Sequence, residues 1–205
     1  MTTTHLLYLH GFRSSPQSTK ARKMAAAVAE RHPSVTWWCP QLPPSPRAAM
    51  ELIMNGIASW PRNTMAVVGS SLGGFYATAV AEQTGCKAVL LNPAVYPARD
   101  LEKYIGEQTS WTDPQEKFFF RREYVDELRA LAVARPPHLE RYYALIAQGD
   151  EVLDWREMQG HYAGAHIMLL EGSDHALSDF DVHMDAVLDF LDLRLCDAIH
   201  NANMT

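Results

Sequence analysis

Six apolar runs, separated by stretches of helical periodicity, constrain the fold of this chain more than any other feature. They span 5–10, 35–39, 64–70, 87–92, 142–148 and 166–171. Most are almost continuously apolar, as strands covered on both faces must be. Parallel neighbours also need a long crossover to bring the chain back, and the intervening helical stretches supply one. The alternation predicts an α/β fold with about six mainly parallel strands flanked by helices. A chain of 205 residues is enough for one domain, 1–205, with a substantial core.

Between the runs, local signals mark the helices. Ser15-Pro16 and Ser45-Pro46 each have the form of an N-cap followed by proline at the first helical position. Ala21, Met24, Ala25 and Val28 then recur at helical spacing, as do Met50, Ile53, Ile57 and Trp60. Gly85 suits the left-handed residue that ends a helix. Ser178 followed by Asp181 has the form of a capping box, ahead of a helix whose apolar face is Phe180, Met184, Val187, Leu188, Leu191 and Leu195.

The stretch between the fourth and fifth runs far exceeds a usual crossover helix of roughly 10–15 residues. It carries Pro97, Pro114, Pro136 and Pro137 with Tyr104, Trp111, Phe118, Phe119, Phe120 and Tyr124, and a helix is predicted near 121–133. Residues 96–140 are read as a cap insertion over an active site, with an elaborated sheet edge as the competing account.

The chemistry begins at Gly69-Ser70-Ser71-Leu72-Gly73, which is G-x-S-x-G between a predicted strand and a predicted helix. In that context the pattern is a nucleophile elbow, a strained turn that projects its central serine. Ser71 is therefore the candidate nucleophile. A serine hydroxyl needs a base within hydrogen-bond reach, and the base needs a group that fixes its tautomer. In serine hydrolases built on such sheets, the acid and then the histidine follow in chain order.

Asp150 stands just past the run 142–148, and His175 just past 166–171. Ligand sites of parallel sheets lie at those strand ends. Asp154 competes for the acid but fits an N-cap with Glu157 at N3, and Glu151 is a third choice. His161 and His183 sit in helical patterns and read as packing or surface residues.

The oxyanion of an acyl-transfer intermediate needs donors. The expected ones are the backbone N–H of Leu72, following the nucleophile, and that of Phe12, in the loop after the first strand. His10 reads as a brace for that loop. His5 and His10 have no companion carboxylate or cysteine cluster, so no metal is predicted.

A net charge of -6 argues against nucleic acid or an anionic membrane as partner. No run reaches the roughly 18 apolar residues of a bilayer span. The start, Met1-Thr2-Thr3-Thr4-His5, has no basic region, so no signal peptide is expected. Cys39, Cys86 and Cys196 are scattered, as reduced thiols in a cytoplasmic protein would be.

Several blocks carry a more specific pattern. They are His10-Gly11-Phe12-Arg13-Ser14-Ser15-Pro16, Pro40-Gln41-Leu42-Pro43-Pro44, Gly69 through Thr78, Asn92-Pro93-Ala94-Val95, and Gly149 through Asp154. Together they resemble the small bacterial esterases of the YqiA type, members of the α/β-hydrolase superfamily, in order over nearly the whole chain. The resemblance implies an α/β-hydrolase fold without cofactor and cytosolic hydrolysis of carboxylic esters with short acyl chains. It also implies the triad Ser71, Asp150 and His175. The expected partner is a small-molecule ester or thioester, with Phe118, Phe119 and Phe120 as expected substrate contacts. A thioesterase or acyltransferase would use the same triad. An idle hydrolase fold that only binds a ligand is the alternative outside catalysis.

Overall fold

The computed structural model describes residues 1–193. Leu195 and Cys196, assigned above to a helix face and to the free thiols, lie outside the described residues. The chain forms strands β1 (His5–Leu9), β2 (Thr36–Trp38), β3 (Met65–Ser70), β4 (Lys87–Leu91), β5 (Gly106–Thr109), β6 (Lys117–Phe120), β7 (Tyr142–Ala147) and β8 (His166–Leu170). Six of them make one wholly parallel sheet in the order β2-β1-β3-β4-β7-β8, while β5 and β6 form a separate antiparallel hairpin. The six predicted runs match the six sheet strands to within two residues at either end. With its flanking helices this is the α/β-hydrolase fold.

The helices are α1 (Thr19–Arg31), α2 (Pro46–Gly56), α3 (Leu72–Thr84), α4 (Pro97–Leu101), α5 (Arg122–Leu131), α6 (Trp155–His161) and α7 (Phe180–Phe190). Alternation along each strand divides the core in two. Leu6, Tyr8, Val68, Leu91 and Leu145 pack under α1 and α7. Leu7, Leu9, Val67, Leu90 and Ile146 pack under α2, α3, α5 and α6. Each fully buried aliphatic chain contributes about 1.5–3 kcal/mol of transfer free energy, so both faces are needed. The chain leaves β1 toward β2 on one side and returns to β3 on the other. That reversal makes a switch point between β1 and β3, where a crevice opens past the strand ends.

Two of the predicted caps are corrected. Helix α1 begins at Thr19, not after Pro16. The Ser18 N–H donates to the Ser15 carbonyl at 3.0 Å, so Ser15-Pro16 opens a β-turn ahead of the helix. Proline suits the second position of a turn as well as a helix start. Likewise α7 begins at Phe180, and Ser178 donates both its N–H (2.9 Å) and its hydroxyl (2.7 Å) to Asp174. Ser45 does cap α2, accepting from the Ala48 N–H at 3.2 Å.

Residues between β4 and β7 hold α4, the β5–β6 hairpin and α5. Helix α5 fixes this insert to the main body. Val125 and Leu128 are buried, and the Glu127 carboxylate accepts from the Ser45 hydroxyl (2.7 Å) and the Arg47 N–H (3.0 Å). A carboxylate at the N-terminus of α2 also complements that helix's dipole.

Candidate active site

Ser71 sits between β3 and α3 with φ of 55° and ψ of -119°. A left-handed backbone at a non-glycine residue is the strain expected of an elbow, and costs on the order of 1–3 kcal/mol. Its surroundings hold it there. The Ser71 N–H donates to the Leu91 carbonyl (2.9 Å), and its own carbonyl accepts from Gly74 (2.9 Å) and Ala94 (3.0 Å). A Cβ on Gly69 would lie 2.1 Å from the Gly73 carbonyl oxygen, and one on Gly73 would lie 1.9 Å from that of Leu9. The strand–helix turn therefore closes only around glycines, and α3 starts directly against the end of β1.

The three polar side chains chosen from the sequence meet at this point. His175 Nε2 lies 3.1 Å from Ser71 Oγ, and His175 Nδ1 lies 2.7 Å from Asp150 Oδ2. The Asp150 side chain is fully buried, and its other oxygen accepts from the Val152 and Leu153 amides, both at 2.8 Å. Its carboxylate is thereby fixed, which aims one oxygen at the imidazole and favours the tautomer with Nδ1 protonated. Nε2 is then free to accept the Ser71 proton.

The competing candidates have other partners. Asp154 caps α6 by accepting from Arg156 N–H at 2.9 Å, while Glu157 turns away to a bidentate pair with Arg99. Glu151 accepts from the backbone N–H of His175 at 3.1 Å, so it supports the loop rather than the ring. His183 faces Asp179 at 3.4 Å, and His161 packs edge-on against Tyr162.

Phe12 and Leu72 both line the cavity at Ser71, and neither backbone amide donates a hydrogen bond within the described residues. The Phe12 loop is braced on both sides. The His10 ring accepts from the Leu42 N–H at Nε2 (3.0 Å) and donates from Nδ1 to the Gly11 carbonyl (2.9 Å). Only neutral imidazole can do both, and burial pushes its pKa below the ordinary histidine value. The Phe12 ring is gripped by Tyr104, Phe118 and Phe120 at centroid distances of 5.7, 5.8 and 5.2 Å. Such pairs add about 0.5–1.5 kcal/mol each beyond burial.

Phe118, Phe119 and Phe120, expected to contact substrate, do not share one surface, and none of them lines the Ser71 cavity. They lie on one strand, so successive side chains take opposite faces. Phe120 is buried in the core, Phe119 is 59% exposed, and Phe118 packs edge-on against Phe12. Phe118 reaches a second cavity of about 470 Å³ on the far side of the Phe12 loop, which Ser71 does not line. The cavity at Ser71, about 580 Å³, is walled from the insert by Pro97, Leu101, Tyr104 and Trp111.

Asn92, part of the Asn92-Pro93-Ala94-Val95 motif, also joins two strand ends. It is fully buried with φ of 44°. Its Oδ1 accepts from the Ala147 N–H (2.7 Å), and its Nδ2 donates to the carbonyls of Asp174 (2.9 Å) and His175 (3.1 Å). It thus ties the end of β7, three residues before Asp150, to the loop carrying His175. An asparagine after a strand is an available signal, but its three partners are distant in sequence.

No group of three or more potential metal ligands occurs among the described residues. None of the described helices is long and apolar enough to cross a membrane.

Comparison with known proteins agrees with this frame. The model of a family described as "Uncharacterised protein family (UPF0227)" matches residues 5–192. Among solved structures, alpha/beta hydrolase domain-containing protein 10 from mouse superposes with a TM-score of 0.71 at 13% identity, over 93% of this chain and 90% of that one. A monoacylglycerol lipase from Paleococcus ferrophilus gives 0.66 at 15% identity, over 93% and 95%. Est1E from Butyrivibrio proteoclasticus gives 0.65 at 15%, over 93% and 86%. At these identities the likeness establishes the fold.

Proposed function

The chain belongs to UPF0227, a family of YqiA-like α/β-hydrolases, and on that premise we propose that it is a serine esterase acting on small carboxylic esters with short acyl chains. The observation that carries this reading is the continuous hydrogen-bond chain from Asp150 through His175 to Ser71. His175 takes the Ser71 proton as Oγ attacks the ester carbonyl. The resulting oxyanion accepts from the Leu72 and Phe12 amides, each worth about 2.7–4 kcal/mol of barrier when removed. Protonated His175 then gives its proton to the departing alcohol. Water then loses a proton to the same Nε2 as it attacks the acyl carbon; the acyl–Oγ bond breaks, Oγ takes that proton back from His175, and the acid leaves.

The insert 96–140 acts in this reading as a cap. Supporting it, six of its residues line the Ser71 cavity, and its aromatics clamp the loop that offers the Phe12 amide. A cytoplasmic location is the setting we infer for it.

The test is covalent labelling by a fluorophosphonate, which reacts only with an activated serine. The parent should label at one site and hydrolyse 4-nitrophenyl butyrate with burst kinetics. Ser71→Ala should lose both while unfolding at an unchanged or slightly altered urea midpoint. Undiminished labelling of Ser71→Ala would remove the nucleophile, and with it the mechanism.

A further inference from the structure

The lining of the Ser71 cavity carries charge that the proposed mechanism does not use. Arg13 is two residues past Gly11, and a Cβ on Gly11 would lie 3.7 Å from Ser71 Oγ. Arg13 has φ of 58° and is held on three sides. Its carbonyl accepts from the Trp111 N–H (2.6 Å), its Nε donates to the Thr109 carbonyl (2.7 Å), and its guanidinium lies 4.0 Å over the Trp111 ring. These contacts occupy one N–H and one face. The two terminal nitrogens donate to nothing among the described residues, and Arg13 lines the cavity.

Lys20 lines the same cavity, half-buried, with one bond to the Ala176 carbonyl at 2.5 Å. Burial pushes its ammonium down to about 8, against the weaker pull of Asp174 and Asp150. Lys103 stands at the rim. None of the three has a carboxylate within 4.0 Å among the described residues. Of the two acidic residues in the lining, Asp100 is already paired with Arg99 (2.8 Å) and Glu151 holds the His175 amide. In a chain of net charge -6, the lining of this cavity holds three cationic side chains against two acidic ones.

A guanidinium held at Nε and over the Trp111 ring, with both terminal nitrogens unused, is organised for a planar or tetrahedral anion, which it can bind bidentately. We infer that the Ser71 cavity selects esters bearing a second, compact anionic group, carboxylate or phosphate, held by Arg13 and Lys20 a few atoms from the scissile carbonyl. This deepens the esterase reading by naming the substrate class. The uncapped first turn of α1, whose Ser18 and Thr19 share the wall, adds its dipole to the field.

The test separates binding from turnover by using Ser71→Ala, which cannot be acylated. Calorimetry compares monomethyl glutarate with methyl pentanoate, an ester of matched length without the carboxylate. The charged ester should bind at least tenfold tighter at low ionic strength, and the preference should shrink as salt rises. Lys20→Gln should lower that ratio several-fold, Arg13→Gln more, and Arg13→Lys should restore part of it. Competition by inorganic phosphate assigns the corner to phosphate-bearing esters, and its failure assigns it to carboxylates.

A ratio near one in the parent, or a ratio that neither substitution changes, overturns the inference. Because Arg13 also anchors Trp111, loss of the hairpin could mimic loss of charge; among the described residues Lys20 hydrogen-bonds only the Ala176 carbonyl, outside the hairpin, so its variant isolates the charge. Should the protein with Ser71 intact bind the charged ester selectively yet never hydrolyse it, the esterase reading fails and the binding inference stands.

Discussion

Gly73→Ala tests the oxyanion geometry most directly, because one methyl group is driven into the contact that sets it. Gly73 lies in the first turn of α3, whose leading amide is Leu72, while Leu9 ends the strand that leads to Phe12. The added Cβ would lie 1.9 Å from the Leu9 carbonyl oxygen, 2.5 Å from its carbon and 2.8 Å from the His10 oxygen. All three are backbone atoms, so no rotamer change relieves the overlap. The gap must open by about 1 Å, and misplacement on that scale costs about 100-fold in rate. The two donors sit on opposite sides of that gap, so they separate as it opens.

Losing one donor predicts a fall in kcat of about 10²–10³. Overpacking adds about 1–3 kcal/mol of destabilisation, read separately from the urea midpoint. Gly11→Ala is the graded companion. Its Cβ would meet Ser71 Cβ at 3.2 Å and the Ser70 oxygen at 3.3 Å, so shifts of tenths of an ångström suffice, for a fall nearer tenfold. Gly160→Ala is the control, with nothing within 4 Å and a helical site where alanine gains up to about 1 kcal/mol. The assay is 4-nitrophenyl butyrate turnover with the rate of fluorophosphonate labelling. A folded Gly73→Ala protein with kcat within a few-fold of the parent would refute the placement of the oxyanion at Leu72 and Phe12.

Asn92→Ala should cost about 1–3 kcal/mol, because the Ala147 N–H is left buried without an acceptor. It should also lower kcat more than it raises KM, since the loop carrying His175 loses two tethers; parental kcat would show that the loop is held without it. Stability should fall as pH drops below about 6.5, where the unfolded chain takes up a proton that folded His10, its pKa lowered by burial, resists. His161, also lowered by burial, contributes with the same sign. Urea titrations from pH 7.5 to 5 should therefore give a shallower slope for His10→Gln than for the parent, and equal slopes would remove His10 from the account.

Much was legible in sequence where one physical requirement acts on neighbouring residues. A strand buried on both faces must be apolar along its length, which located β1, β3, β4 and β7. An elbow must have glycines two positions either side of its serine, and the strand ends that follow could be searched for an acid and a base. What sequence could not supply was the partner of a group whose partner is remote. Ser15 and Ser178 have the composition of helix caps, but one opens a turn and the other closes onto Asp174. Hairpin β5–β6 begins with Gly106-Glu107-Gln108-Thr109, which has no apolar alternation, and its aromatic strand packs on Phe12 from the other end of the chain.

The sequence alone determined the layered α/β frame and the choice of Ser71, Asp150 and His175, because periodicity and strand-end position are local properties of the chain. Only the tertiary structure decided that Asn92 bridges β7 to the histidine loop, that Phe118 and Phe120 clamp Phe12 while Phe119 faces water, and that Arg13 and Lys20 share a wall with the nucleophile. Each of those depends on a distance between residues far apart in the chain, and such distances exist only once the sheet has fixed the order and register of its strands.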